Sequence, residues 1–104
     1  MSINEITEKI IGASYEVANT LGSGFLEKVY ENALSFELKN QGLEVEQQYP
    51  LHVESSVIVE LKSTKATENI HRAQVLNYLK ASNKKIGLLI NFGTPRISVE
   101  RIVN

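Results

Sequence analysis

Cysteine and aspartate are both absent from this sequence, and each absence excludes a class of chemistry. Without cysteine there is no disulfide framework, no thiolate metal site and no thiol nucleophile, so packing alone must stabilise the fold. Without aspartate, all twelve acidic residues are glutamate. Every carboxylate that binds a metal or acts as an acid or base must therefore be a glutamate.

Long apolar runs are also missing, which bears on location. Residues 1–5 have neither the basic segment nor the apolar block of a signal peptide, and no stretch is long enough to span a bilayer. We therefore expect a cytoplasmic protein that does not enter membranes. The 104 residues leave room for one domain, 1–104, and 42% hydrophobic with 22% charged residues is typical of a folded globular chain.

The net charge of −1 conceals an uneven distribution along the chain. Residues 1–54 contain three basic and nine acidic side chains, whereas residues 55–104 contain eight basic and three acidic ones. A basic C-terminal half is suited to bind the phosphates of nucleic acid. Alternatively, its charges pair with acidic residues of the same chain once it folds, and the sequence leaves both interpretations open.

Two helices are predicted at the N-terminus. Ser2 and Glu5 fit a capping box, and apolar residues then recur at steps of three and four until Gly22 ends the first helix. A second helix runs from Leu26 to about Gly42 and has two adjoining apolar stripes that form a broad apolar face. The stripes are Leu26, Val29, Ala33 and Phe36, and Tyr30, Leu34 and Leu38. The helix pair is expected to form a corner or hairpin that covers one side of a sheet.

The apolar period changes to two after the second helix, which predicts a half-exposed strand from Leu43 to Val53. Pro50 favours an edge position or an interruption there, because proline cannot donate to a sheet ladder. The alternating apolar residues are Leu43, Val45, Tyr49, Leu51 and Val53. A tight turn at Ser55-Ser56 then leads into the next strand.

The second half of the chain alternates strands and a helix. Val57–Lys62 reads as a strand buried on both faces, and a third helix capped by Thr67 extends to about Ser82. The core side of that helix is predicted to be Val75, Leu76 and Leu79. Strands follow at 85–91 and 97–103, so the order is α-α-β-β-α-β-β. We expect an α/β fold with a mixed sheet flanked by helices, in which the third helix joins two parallel strands.

The strand Val57–Lys62 ends in an acid and a base, which makes it the candidate site. Because successive side chains of a strand alternate, Glu60 and Lys62 project from the same face. Buried strands seldom carry such groups without a partner, although an exposed pair at a strand end is the simpler interpretation. On the third helix, His71, Gln74 and Tyr78 form a polar stripe at spacings of three and four.

Four segments of the sequence together resemble the GxxExxY proteins, a small bacterial and archaeal family within the PD-(D/E)XK nuclease superfamily. The segments are Gly24–Tyr30, Glu60–Lys62, Gln74–Tyr78 and Leu88–Gly93. The resemblance covers essentially the whole chain and implies a restriction-endonuclease-like core, here with a reduced sheet.

The resemblance also implies roles for five residues. Glu60 would be a metal ligand, and Lys62 would position or activate the attacking water. Glu27 would add a carboxylate from the second helix, while Gln74 and Tyr78 would support the site or the DNA. The implied cofactor is Mg²⁺ or Mn²⁺, since hard cations take carboxylate oxygens and stabilise charge on a scissile phosphate.

Each of these assignments has a structural alternative. Glu27 fits a solvated helix position, Tyr30 fits the core better than a ligand contact, and Gln74 and Tyr78 fit packing against the sheet. The two histidines, His52 and His71, have no partner at a metal-binding spacing, which favours surface or satisfied core roles for both.

The sequence departs from the family pattern at one place. GxxExxY proteins typically carry a further hairpin that leads into a strand with a metal-binding aspartate. Here that segment is missing, and the slot for the aspartate falls near Pro50. With a two-residue turn at Ser55-Ser56, Leu51 lies opposite Glu60 and Glu54 points away from the site face. We therefore expect an incomplete metal site.

Three functional hypotheses follow. In the first, the protein is a non-catalytic module that binds nucleic acid through its basic half or serves assembly. In the second, it is a working metal-dependent nuclease whose missing ligand comes from Glu54, Glu27 or a second subunit. In the third, it is a homo-oligomer that pairs through the sheet edge left open by the missing segment.

Overall fold

Three helices and five strands build the fold, which a computed structural model describes for residues 1–48 and 50–104. The elements are α1 (Ile3–Leu21), α2 (Glu27–Asn40), β1 (Val45–Glu46), β2 (Leu51–Val53), β3 (Val57–Lys62), α3 (Asn69–Ser82), β4 (Ile86–Asn91) and β5 (Ser98–Val103). The strands lie in the order β1-β2-β3-β4-β5, with β3 and β4 parallel and the other neighbours antiparallel. The predicted mixed sheet flanked by helices is confirmed.

The sheet lies between two helical layers. Val57, Val59 and Leu61 of β3 belong to the core that α1 and α2 cover, whereas Ile58 packs with α3 on the opposite face. This arrangement confirms that β3 is buried on both faces, and it places Glu60, which has the same parity as Ile58, on the α3 side. Among the described helices, none is both long and apolar enough to cross a membrane.

Local signals explain the helix pair. The Ser2–Glu5 capping box forms as predicted, and Gly22 ends α1 with a φ of 74°, which glycine adopts without strain. Of the two stripes on α2, only the second is buried, with Tyr30, Leu34 and Leu38 all 0% exposed. The first stripe faces solvent: Leu26 is 79% exposed and Phe36 67%. The broad apolar face is therefore only half covered.

The predicted single strand from Leu43 to Val53 is wrong in detail, because that segment forms β1 and β2. The two strands pair with each other in antiparallel fashion, with Val45 opposite Val53. Pro50 has no N–H for a continuous ladder, and β2 begins immediately after it. Tyr49, predicted to alternate inward within that strand, lies outside the described residues. The sheet consequently has five strands instead of the four expected.

The turn into β3 differs from the predicted two-residue Ser55-Ser56 turn. Glu54 and Ser55 both have positive φ, 53° and 52°, and the Ser56 amide donates to the Val53 carbonyl at 3.1 Å. The register pairs Leu51 with Val59, one residue away from the predicted pairing with Glu60. The parity argument for Glu54 is therefore wrong, since a one-residue slip moves every side chain to the other face.

The N-cap of the third helix lies one residue later than predicted. Glu68, not Thr67, is the N-cap, and the Glu68 amide donates to His71 Nδ1 at 3.1 Å. That hydrogen bond gives His71 the structural role that the sequence favoured. Val75 and Leu79 are buried as predicted, but Leu76 is only half-buried.

Candidate functional site at the end of the central parallel strand

Glu60 and Lys62 lie at the end of β3, beside the point where the sheet loses a strand. Glu60 is 5% exposed and pairs with Leu89 of β4, while Lys62 pairs with Asn91. On the other side, the antiparallel register with β2, extended by one residue, places buried Pro50 opposite Glu60. Strand β2 begins at Leu51, so its assigned pairing with β3 ends one residue short of Glu60.

A cleft of about 390 Å³ separates α3 from this end of β3. We call it the α3 cleft, and its lining consists of Glu60, Gln74, Asn77, Tyr78 and Ala81. The structure thus brings together three of the residues that the resemblance singled out, one from the strand and two from the helix. Asn77 was missed by sequence reasoning, although it lies three residues after Gln74 on the same helix.

His52 of β2 supports the aromatic wall of the α3 cleft. Its ring packs edge-on against the ring of Tyr78, with centroids 6.1 Å apart and planes at 70°. The residue is half-buried, and its Nε2 is enclosed without a hydrogen-bond partner among residues 1–48 and 50–104. His52 is therefore neither the surface residue nor the satisfied core residue that the sequence favoured.

A second, smaller cleft opens at the sheet edge between α2 and β3. We call it the edge cleft, and its lining consists of Glu27, Glu31, Pro50, Leu51, Val59, Glu60 and Leu61. Glu27 and Glu60 therefore border the same space, although the Glu60 side chain projects from the α3 face of β3. Glu31, one helical turn after Glu27, was missed, although its spacing of four residues puts it on the same side of α2.

The carboxylates of the edge cleft do not form a complete metal site. Glu31 accepts hydrogen bonds from Lys28 Nζ at 2.6 Å and from Gln47 Nε2 at 3.0 Å, so its charge is already compensated. Pro50, in the slot where the resemblance implied aspartate, has no side-chain oxygen. Across the part of the chain that the structure describes, no three His or Glu side chains are grouped to hold a metal ion. The donors present therefore fit Mg²⁺ or Mn²⁺ poorly.

Glu54 does not replace the missing aspartate. Its Oε2 accepts a hydrogen bond from the Glu44 amide at 2.6 Å, at the turn that closes the β2–β3 hairpin. Val57 lies at that end of β3, and Glu60 lies three residues further along, roughly 10 Å away at the usual rise of a strand. Distance, not side-chain parity, removes Glu54 from the site.

The segment that follows Lys62 is held by the buried residue Asn91. Asn91 Oδ1 accepts from the amides of Thr64, at 3.1 Å, and Gly93, at 2.9 Å. Its Nδ2 lies 3.4 Å from Oγ1 of both Thr64 and Thr67. One side chain therefore fixes the start of the link between β3 and α3. Sequence reasoning did not assign this role, although an asparagine that ends an apolar strand was the available signal.

Gly93 completes this arrangement by close backbone contact. A Cβ atom at Gly93 would lie 2.2 Å from the Thr64 carbonyl oxygen and 2.6 Å from the Ser63 carbonyl carbon. Such distances leave no room for any side chain, so the Gly93 segment and the β3–α3 link can pack this closely only with glycine. The Phe92 amide also donates to the Lys62 carbonyl at 2.8 Å. The position of Lys62 is thus set from the β4 side.

Tyr30 is a core residue that positions the start of α2. Its hydroxyl donates to the Gly22 carbonyl at 2.5 Å and accepts from the Phe25 amide at 3.3 Å. Its ring stacks on Phe92 with centroids 4.5 Å apart. Ser63, directly after Lys62, donates to the Phe25 carbonyl at 2.9 Å. These contacts connect the segment that contains Glu27 to the end of β3 and explain why the tyrosine occurs at this spacing.

Some basic side chains of the C-terminal half are engaged in contacts within the chain. Arg72 Nε and Nη2 each donate to a Glu100 carboxylate oxygen at 2.6 Å, which raises the pKa of Arg72 and lowers that of Glu100. Arg101 Nη2 donates to Asn4 Oδ1 at 3.1 Å. Other basic side chains remain exposed, namely Lys65, Lys80, Lys85 and Arg96. Internal pairing therefore accounts for part of this charge, and the remaining basic side chains lie exposed on the surface.

Comparison with protein families identifies a relationship over almost the whole chain. The family model of the PD-(D/E)XK nuclease superfamily matches residues 4–55 and 49–102. The match consists of two segments that overlap at residues 49–55, the stretch where the sequence predicts a missing segment. Neither curated proteins nor solved structures provide a significant match.

Proposed function

The chain belongs to the PD-(D/E)XK nuclease superfamily, and we propose that it is a GxxExxY-type member that binds nucleic acid without cleaving it. The observation that carries this proposal is Pro50 opposite Glu60, in the place where the resemblance implies an aspartate. Glu54, the nearest glutamate in sequence, is held at the far end of β3 by the Glu44 amide. We place this activity in the cytoplasm.

The chemistry of hydrolysis supports the inactive interpretation. A divalent cation that activates water and stabilises a pentavalent phosphate needs several oxygen ligands in near-octahedral geometry. Glu60 and Glu27 both border the edge cleft, but Glu31 is engaged by Lys28 and Gln47. Metal binding by the remaining pair is expected to be weak, so Lys62 contributes charge for a phosphate rather than catalysis.

A working nuclease is the second candidate, and one observation favours it. Glu27 and Glu31 border the edge cleft together with Glu60, so a cation that displaced Lys28 and Gln47 from Glu31 would gain the Glu31 carboxylate as a ligand. A homo-oligomer that pairs through a sheet edge is the third candidate.

The strands at the two sheet edges differ in their capacity for such pairing. β1, on the side of the missing segment, has only two residues, whereas β5 has six. Short edge strands offer few backbone groups to another chain. We propose that copies of the protein associate by edge pairing through β5. A monomer in sedimentation at high concentration would contradict this association.

The decisive experiment measures cleavage and binding on the same substrates. Single- and double-stranded DNA and RNA are incubated with Mg²⁺ or Mn²⁺, and affinity is measured as a function of salt. We expect binding that weakens as salt rises, because phosphate contacts release counterions, and no cleavage. Lys62→Ala should weaken binding, whereas Lys39→Ala, an exposed lysine at the end of α2, serves as the matched control. Metal-dependent cleavage that Lys62→Ala abolishes would refute the inactive interpretation.

A gain of metal affinity provides an independent test of the site itself. Pro50→Asp restores a carboxylate opposite Glu60, and Pro50→Asn introduces a side chain of the same shape without the charge. We expect the aspartate variant to bind Mn²⁺ more tightly than both the wild type and the asparagine variant, as measured by calorimetry. Equal Mn²⁺ affinity in all three proteins would contradict the placement of Pro50 in the metal-ligand slot.

A further inference from the structure

We propose that the α3 cleft takes an unpaired nucleobase, so that this protein binds single strands or frayed ends in preference to intact duplex. This inference rests on the proposed nucleic-acid binding and specifies its substrate class. The cleft volume of about 390 Å³ lies within the usual range of small-molecule sites, roughly 300–1,000 Å³. Lys62 follows the lining residue Glu60 by two residues on the same face of β3, so a base in the cleft would belong to a strand whose phosphates pass that lysine.

The lining of the cleft has the parts that base recognition uses. Tyr78 provides an aromatic side chain, half-buried and braced by the ring of His52. Ala81, one turn beyond Asn77, contributes only a methyl group and leaves the space open. Bases stack on aromatic side chains whatever their sequence, because every base has a π-face. Tyr78 therefore offers a stacking surface that does not need to be rebuilt on binding.

Two amides and one carboxylate set the polarity of the same cleft. Gln74 and Asn77 are exposed at its rim, and each amide carries both donors and acceptors, as the edges of bases do. The carboxylate of Glu60 is acceptor-only when ionised and repels a phosphate. The cleft therefore suits a neutral base better than a phosphate, and it favours bases with an exocyclic amino group, such as adenine and cytosine, over thymine.

A base can enter the α3 cleft only when it is unpaired. Bases inside a duplex are stacked and hydrogen-bonded, and a pocket reaches them only after they leave the helix.

The test uses the full chain and two probes, a short labelled oligo-dA and a blunt duplex of mixed sequence, both in low salt. Binding is followed by fluorescence anisotropy. Ala81→Leu fills the cleft from an exposed helix position, and Tyr78→Leu removes the stacking surface. Ala73→Leu makes the same change at an exposed position of α3 outside the cleft and is the matched control. Circular dichroism verifies that each variant is folded.

We expect the wild type to prefer oligo-dA to duplex and oligo-dA to oligo-dT. Ala81→Leu and Tyr78→Leu should each weaken oligo-dA binding about 10-fold, which lies within the roughly 5- to 150-fold range that stacking of one base is worth. The affinity of each variant for duplex, and the affinity of Ala73→Leu for oligo-dA, should equal those of the wild type. Oligo-dA affinity that survives both cleft variants would overturn the base pocket and leave nucleic-acid binding intact. Failure of the wild type to bind either probe would overturn the proposed function as well.

Discussion

Replacing Gly93 by alanine is expected to destabilise the protein far more than a single methyl group usually does. The added Cβ would lie 2.2 Å from the Thr64 carbonyl oxygen and 2.3 Å from the Thr64 amide nitrogen, where ordinary contacts are 3.4–4 Å. Both atoms are backbone, so no side-chain rotation relieves the overlap. Either the β3–α3 link or the segment after β4 must move.

The size of the effect follows from two contributions. Overpacking of a well-packed site costs about 1–3 kcal/mol, and the rigid backbone neighbours place this case near the upper end. Movement of Thr64 also breaks its hydrogen bond to Asn91, worth about 1 kcal/mol net. A loss of about 4 kcal/mol in the free energy of unfolding corresponds to a fall of roughly 15–30 °C in the melting temperature of a domain this size.

The assay is thermal and urea denaturation followed by circular dichroism, with Gly12→Ala as the matched control. Gly12 lies within α1, and a Cβ there meets nothing within 4 Å, so alanine should raise stability by about 0.5–1 kcal/mol through helix propensity. The same substitution should therefore act in opposite directions at the two glycines. A melting temperature of Gly93→Ala within about 5 °C of the wild type would refute the close backbone contact.

Two further predictions concern the buried residue Asn91 and the ion pair between Arg72 and Glu100. Asn91→Ala leaves the amides of Thr64 and Gly93 without their acceptor and should lower the free energy of unfolding by about 2–3 kcal/mol; an unchanged urea midpoint would contradict it. Arg72 holds the pKa of Glu100 below its ordinary 4.5, so the pair stabilises the fold above that pH and loses its effect as pH falls through the lowered pKa. The stability difference between wild type and Glu100→Gln should therefore be present at neutral pH and vanish in acid; a difference independent of pH would argue against the pair.

The elements that the sequence predicted well are those with local signals. The capping box at Ser2 and the glycine at position 22 define α1 without reference to the rest of the chain. The continuous apolar runs of β3 and β4, separated by a helix, were sufficient to predict their parallel pairing. Such features depend on neighbours in sequence, and these are visible before any fold is known.

The errors occur where contacts between residues distant in sequence determine the local structure. Alternation between Leu43 and Val53 does not distinguish one strand from two short strands around a turn, and Pro50 was the only sign of the break. The turn at Glu54 and Ser55 has positive φ values without the Asn-Gly signature that would announce them. The first stripe of α2 is as apolar as the second, and only the position of the other layers determines which one is buried.

The candidate site was predictable in part. Glu60, Gln74 and Tyr78 converge on one cleft, as expected from their resemblance to a known pattern. Asn77 and Glu31 were missed because no motif marks them, and their roles depend on which helix faces approach β3. The role of Asn91 depends on its parallel register with Lys62, which links residues far apart in sequence.

That same parallel pairing has a consequence for how the protein is made. β3 receives its partner β4 only after α3 has been synthesised, so a ribosome-bound chain that ends near residue 82 exposes one long side of its central strand. Leu88 and Ile90 also complete the core beneath α1 and α2. The first two helices therefore have no finished surface to pack on until β4 has been synthesised. Folding of this domain is expected to await β4, and synthesis interrupted before β4 should yield fragments that aggregate or are degraded.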